Sequence, residues 1–336
     1  MRMRAWAVGV FLGCAACNWL SLAKNALSYE MTARGEAANV VSRDSVAFVA
    51  LGADGVGVVD GRTGARLSVL PPPAGSESVD DVAVADSVLF VLDARPPGHL
   101  SAYALRGDSL RLATAPRGVA VGPFSGVSAA NGVVVVSGGT ARMTAWRYDA
   151  SGVQPDTVPF ATTDLGRGQP DVLVTAGFAF VSTHFWGPYF GLDIIRVGGD
   201  SLPLVATLEL PGAGFTAGGA KPANFPIEMA QLNDTTLLIA FERGVAVVDV
   251  AHPATPRVLR VIDVGGPGVN VDAAHGVAAV VVAGRSPAVA IVDGARVVRR
   301  IPLPPGTKPL GVALSGARAE RVIVAARDRG VMIVSR

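Results

Sequence analysis

From residue 38 onward the chain alternates short β-branched runs with polar breaks of about two residues, and apolar residues at helical spacing are essentially missing. Val46 to Leu51, Val88 to Leu92, Val133 to Val136 and Val277 to Val282 are such runs, separated by the Gly, Asp, Asn and Pro that turns favour. They predict strands. Many are apolar at successive rather than alternate positions, which predicts strands covered on both faces.

The runs recur as a repeat. Aligned on the break after the first run, the units place Asp44-Ser45, Asp86-Ser87, Asn131-Gly132, Ala176-Gly177, Asn233-Asp234, His275-Gly276 and Ser315-Gly316 at one position. Their first runs then open at Asn39, Asp81, Gly126, Asp171, Glu228, Asn270 and Gly311, with spacings of 42, 45, 45, 57, 42 and 41 residues. A second run follows (VAFVAL, VLFVLD, FAFVST, LLIAFE, RVIVAA), then a third (VGVVDG, LSAYAL, LDIIRV, VAVVDV, VAIVDG, VMIVSR) and usually a fourth. Four strands in about 42 residues is the size of a propeller blade, so the expected fold is an all-β, seven-bladed β-propeller. The seventh unit ends 25 residues beyond Gly311 and holds only three strands. The segment containing Ala26 to Ala33 is therefore expected to supply the outer strand of the last blade and close the ring, which protects edges that an open stack would expose.

The fifth unit reads Gly244-Val-Ala-Val-Val-Asp-Val-Ala-His-Pro-Ala-Thr-Pro256, and on these residues the chain resembles the LVIVD (YVTN-like) repeat family of bacterial propellers. Gly55 to Asp60 and Gly330 to Ser335 match in part, and Leu192 to Val197 is degenerate. The resemblance covers about residues 38–336. It implies a propeller and says little about activity.

At the N-terminus, Arg2 and Arg4 precede an uncharged apolar run, Ala5 to Cys17, in the order of a secretory signal. As a helix this run rises about 20 Å, short of the roughly 30 Å hydrocarbon core. Cys17, after Ala15 and Ala16, is similar to the acylated cysteine of bacterial lipoproteins, although Cys14 stands where that pattern usually has Leu. Ordinary cleavage after the Ala pair is the alternative. The expected organisation is a lipoprotein-like signal over 1–17, a short linker over 18–24 and one propeller domain over 25–336. The chain is expected in the periplasm or on the outer surface of a bacterial envelope, meeting a membrane only through a lipid at Cys17. Both cysteines lie in the signal, which leaves no thiol chemistry to the exported body.

Composition agrees and names no partner. The chain of 336 residues is 50% hydrophobic and 17% charged, with net charge +2, far from the balance of a disordered chain. It has no basic cluster, and nucleic acid is not expected as a partner.

Two features could carry function. The residues opening the first strands include three carboxylates, Asp81, Asp171 and Glu228, with Asn39 and Asn270, and in a propeller they ring the axis. Such an oxygen set suits a hard cation such as Ca²⁺, with Asp81, Asp171 and Glu228 as candidate ligands. Equally, Asp and Asn at a strand entry bond their own backbone. The second feature is an elaboration of the fourth and fifth units. Thr183-His-Phe-Trp-Gly-Pro-Tyr-Phe-Gly191 gathers His184, Phe185, Trp186 and Tyr189 in an otherwise aromatic-poor chain. The connection Pro211 to Phe225 adds Phe215, Lys221 and Phe225. Long loops on a rigid frame are where binding sites form, and rigid aromatics make good anchors. These rings would otherwise fold back over the blade edges.

His184 is a candidate base or ligand, but a loop histidine with no second imidazole nearby in sequence is more simply a hydrogen-bonding residue. Gly212 to Gly218 has the wrong glycine spacing for a dinucleotide loop, and the sequence has no Gly-x-Ser-x-Gly elbow and no paired-Cys or His-Glu-x-x-His metal motif. The expected function is a non-catalytic exported scaffold that recognises an envelope protein, glycan or surface polymer through its upper loops. The alternative is a Ca²⁺-dependent lactonase-type hydrolase, whose axial Glu, Asn and Asp ligands Glu228, Asn270, Asp81 and Asp171 resemble in kind.

Overall fold

The computed structural model describes residues 26–29, 37–95, 98–106, 109–119, 126–138, 142–150, 152–153, 161–164, 168–184, 190–210, 228–327 and 329–336. Among these residues, twenty-nine strands form seven antiparallel sheets arranged as a seven-bladed propeller. The innermost strands of blades 1 to 7 are Val40–Arg43, Asp81–Ala85, Gly126–Ala130, Gly168–Thr175, Met229–Asn233, Gly268–Ala274 and Gly311–Ser315. The openings read from the repeat fall within three residues of these starts. One further helical element, the 3-10 turn Gly52–Asp54, lies among the described residues, where no helix is long and apolar enough to cross a membrane.

The ring closes as the repeat length requires. Ala26–Tyr29 pairs antiparallel with Val331–Val334 and forms the outer strand of blade 7. Blade 1 then packs on blade 7 through Val40, Ala47, Val49 and Leu51 against Ala313, Ile323, Ala325 and Ile333. Ser42 Oγ donates to the Leu314 carbonyl across the same junction, and Ser315 Oγ donates to the Asp44 carbonyl at 3.1 Å.

Packing between blades explains the successive apolar positions. Each of the seven junctions holds its own hydrophobic cluster. In Gly244–Asp249, Val247 packs towards blade 6 and Val248 towards blade 4, as a strand with alternating side-chain directions must when both sides are occupied. The third strands of blades 1 and 5 read Gly-x-x-Val-Val-Asp for identifiable reasons. Gly55 and Gly244 have φ of 91° and 122°, and a Cβ there would lie 2.0 Å from the Leu70 carbonyl oxygen and 2.2 Å from that of Ile262. The closing Asp folds the next turn: Asp60 Oδ1 accepts the Arg62 and Thr63 N–H groups, Asp249 Oδ1 that of Ala251, and Asp293 Oδ1 those of Ala295 and Arg296.

Two details depart from the repeat reading. The first break of blade 5 is Asp234-Thr235, one residue later than expected, and that of blade 7 spans Gly316 to Glu320 rather than two residues. Blade 3 has a third strand, Arg142–Asp149, that lacks a Val-rich run, with Met143, Ala145 and Trp146 buried instead. Its outer edge is split between Gly152–Val153 and Ala161–Asp164.

Candidate functional site

The inner strands begin on one face of the ring, here the upper face, where the second strands also end and the third begin. The first-strand carboxylates sit at this entrance, and the structure shows what each oxygen does. Asp81 Oδ1 accepts the N–H of Val82 at 2.8 Å, and Oδ2 accepts that of Val127 in blade 3 at 2.8 Å. Asp171 repeats the arrangement with Val172 at 2.7 Å and Met229 of blade 5 at 3.0 Å. Asn39 Oδ1 accepts Val40 N–H at 2.7 Å while its Nδ2 donates to Asp81 Oδ1, and Asn270 Oδ1 accepts Val312 N–H at 3.3 Å. Each side chain is thus a clasp, most of them holding their own strand and the next blade's inner strand together.

Burial makes these clasps electrostatically unusual. Asp81 and Asp171 are 8% and 7% exposed. Removal from water raises the Asp81 carboxyl to about 6, against the N–H donors and the Asn39 amide that hold it down. Asp171 rises to about 7, first through burial and then through the negative charge of Asp81. Glu228, half-buried at the channel wall, is pushed well above the usual carboxylate range by its protein surroundings and by Asp171 and Asp81. Asp171 and Glu228 are hydrogen-bonded through their side chains, and burial together with their mutual repulsion favours protonation of the pair.

The sequence reading missed Asp272. Its Oδ1 accepts Ala273 N–H at 2.8 Å and its Oδ2 accepts Leu314 N–H of blade 7 at 2.7 Å, and burial raises its carboxyl to about 6. The available signal was its position two residues after Asn270, which puts both on one face of the strand. Serines perform the same task elsewhere: Ser128 Oγ accepts Val174 N–H at 3.0 Å between blades 3 and 4, and the second-strand Ser137 and Ser182 accept Gly126 and Asp171 N–H at 2.9 and 3.0 Å.

Asp81, Asp171 and Glu228 therefore come close enough to perturb one another, whereas Asn39 and Asn270 are engaged with strand backbones. Among the described residues, no three His, Cys, Asp or Glu are arranged to hold a metal ion. His184 ends the second strand of blade 4, opposite Gly168 and Phe190. His99 opens the third strand of blade 2, two blades away, and His252 and His275 lie in lower-face turns. Phe185, Trp186, Tyr189, Phe215, Lys221, Phe225, Cys14 and Cys17 lie outside the described residues. The strands that carry their loops are described. Residues 185–189 join His184 to Phe190, and residues 211–227 join Leu210 to Glu228, so the described ends of both connections lie on the upper face, at blade 4 and its junction with blade 5.

No protein-family model matches the chain, and no curated protein matches it in sequence. Solved structures share the fold. The structure of U3-55K is 12% identical with a TM-score of 0.66, covering 94% of this chain and 99% of that one. The crystal structure of RRP9 WD40 repeats is 11% identical, TM-score 0.67, covering 93% and 97%. The Pan2 WD40 domain of Neurospora crassa is 11% identical, TM-score 0.64, covering 93% and 95%. At these identities the likeness concerns architecture.

Proposed function

We propose that this chain is an exported, non-catalytic propeller that binds an envelope protein, glycan or surface polymer through its upper-face loops. The observation that carries this reading is the common origin of the two aromatic-bearing connections, 185–189 and 211–227, on one face at neighbouring blades. A rigid ring that presents adjacent loops rich in Phe, Trp and Tyr is suited to recognition, because such side chains lose little entropy on binding. The axial aspartates support the same reading in another way: both oxygens of Asp81 and of Asp171 accept strand N–H groups, as expected of side chains that hold blades together. The seven-bladed architecture shared with WD40 propellers is compatible with a scaffold role and selects no partner. Export and attachment through Cys17 complete the proposal.

The test is capture from envelope extract by the full chain and by a variant with Phe185, Trp186 and Tyr189 changed to Ala. The proposal expects capture to fall at least about tenfold with the melting temperature within about 2 °C, since substitutions away from a packed core change stability little. Undiminished capture would overturn it. Labelled fatty acid separately tests the anchor: label on the wild type and none on Cys17→Ala is expected, and an exported chain without label would remove the lipoprotein claim.

A further inference from the structure

On the opposite, lower face a cleft of about 210 Å³ opens between blades 4 and 5. Phe178, Phe180, Val250 and Pro253 form its apolar walls, while Gln231 and Asp234 bring polar groups to it. The two phenyl rings lie 6.4 Å apart and tilted by 46°. The walls are fixed from both sides: Thr175 Oγ1 donates to Gln231 Oε1 at 2.6 Å between the blades, and Val250 N–H donates to the Thr235 carbonyl at 2.8 Å. A ligand would therefore meet a preformed site.

Size and chemistry narrow the occupant. Small-molecule pockets occupy roughly 300–1,000 Å³. This cleft is smaller and admits one long side chain. Among the described residues, the exposed Asp234 carboxylate has neither an ion-pair partner nor a hydrogen-bond partner, and one end of the Gln231 amide is likewise uncommitted. Arg196, which pairs with Phe178 across the sheet, does not line the cleft. An aromatic and aliphatic trough ending in a free carboxylate complements a guanidinium on an apolar stem. Its flat cation bonds carboxylate edge-on and stacks on phenyl faces, which an ammonium does less well. The uncommitted amide end of Gln231 would meet the backbone of the same segment.

We propose that this cleft is a docking site for an arginine side chain presented by a partner polypeptide, a second binding face independent of the upper loops.

The experiment is a titration of the isotope-labelled full chain with N-acetyl-arginine methylamide, read by backbone amide shifts. Saturable shifts are expected at Thr175, Gln231, Asp234, Thr235 and Val250. The uncharged citrulline analogue should bind about tenfold more weakly, the lysine analogue at an intermediate level, and Asp234→Asn should weaken the arginine probe about tenfold. Asp234 is an exposed turn residue, and an unchanged melting temperature checks that its variant keeps the fold. The citrulline comparison needs no variant at all. No saturable shift at these positions by about 50 mM probe, equal affinity for arginine and citrulline, or an Asp234→Asn variant that binds as tightly as the wild type would each overturn the proposal.

Discussion

Asp171 shows how much one inner-strand carboxylate does. It joins two blades through Val172 and Met229 N–H groups and is hydrogen-bonded to the Glu228 side chain. Asp81, Asp171, Asp272 and Glu228 all have folded-state values above those of an unfolded chain, so the fold prefers them protonated. The contribution of the three aspartates is complete below about pH 4 and is lost as pH rises through about 6 to 7, and Glu228 acts in the same direction. Asp249, Asp293 and Glu320 are held low chiefly by backbone N–H donors, and their effect runs the other way. Being exposed, they are screened and weak. Thermal unfolding should therefore occur at a higher temperature at pH 5 than at pH 8, and Asp171→Asn should shrink that difference. A melting temperature that is flat or rises from pH 5 to 8 would contradict the assignment. Asp171→Ala, which leaves two buried N–H groups without acceptors, should cost about 2–5 kcal/mol at pH 5, measured by denaturant unfolding.

A second residue-scale prediction concerns Ala176, which holds φ at 49° where Asn131 and His275 occupy the same position of their turns. Left-handed backbone disfavours alanine and suits Asn before Gly. Ala176→Asn should raise stability by about 0.5–1 kcal/mol, read as a higher denaturation midpoint. Asp81, Asp171 and Glu228 could be found in the sequence but their job could not. An Asp at a strand entrance looks the same whether it meets a cation or the N–H of a residue 46 or 58 positions away, and only the ring brings those residues together.

At the scale of the element, the third strand carries the repeat's identity because each of its positions has a separate reason. Gly244→Ala would force alanine to φ of 122° and drive its Cβ into the Ile262 carbonyl. Backbone strain alone is worth about 1–3 kcal/mol, so the fifth blade should lose at least that, measured by unfolding of the purified variant. Leu238→Ala, at a fully buried second-strand position, should cost about 2–5 kcal/mol by the same measurement. The outer strands are legible in a different way. Blades 1, 4, 5 and 6 each carry a bulge there, at Leu67, Val205, Leu259 and Val298, and such irregularity discourages another chain from adding to an exposed edge. The strand that sequence pattern did not reveal, Arg142–Asp149, shows why pattern reading has a limit. Its neighbours supply enough apolar surface that Met143, Ala145 and Trp146 fill the space of a Val run, while Arg142 and Arg147 point outward.

At the scale of the whole molecule, repeat length determined the architecture, because a 42-residue period repeated seven times leaves one strand to be found at the other end of the chain. Ala26–Tyr29 fills that place. Proline at both Leu27 and Ser28 removes a ladder N–H whichever of the two faces inward, and the ring should lose about 1–3 kcal/mol, seen as a lower denaturation midpoint. What the sequence left open was the division of labour between axis and loops, since an aspartate that clasps two strands and one that holds a cation look alike until the ring brings their N–H partners together. The most direct test of that division is one capture measurement on two variants with matched folded fraction at pH 5. Asp171→Asn is expected to capture the partner as the wild type does, while replacing Phe185, Trp186 and Tyr189 by Ala abolishes capture. Loss of capture with Asp171→Asn and retention with the loop variant would contradict it.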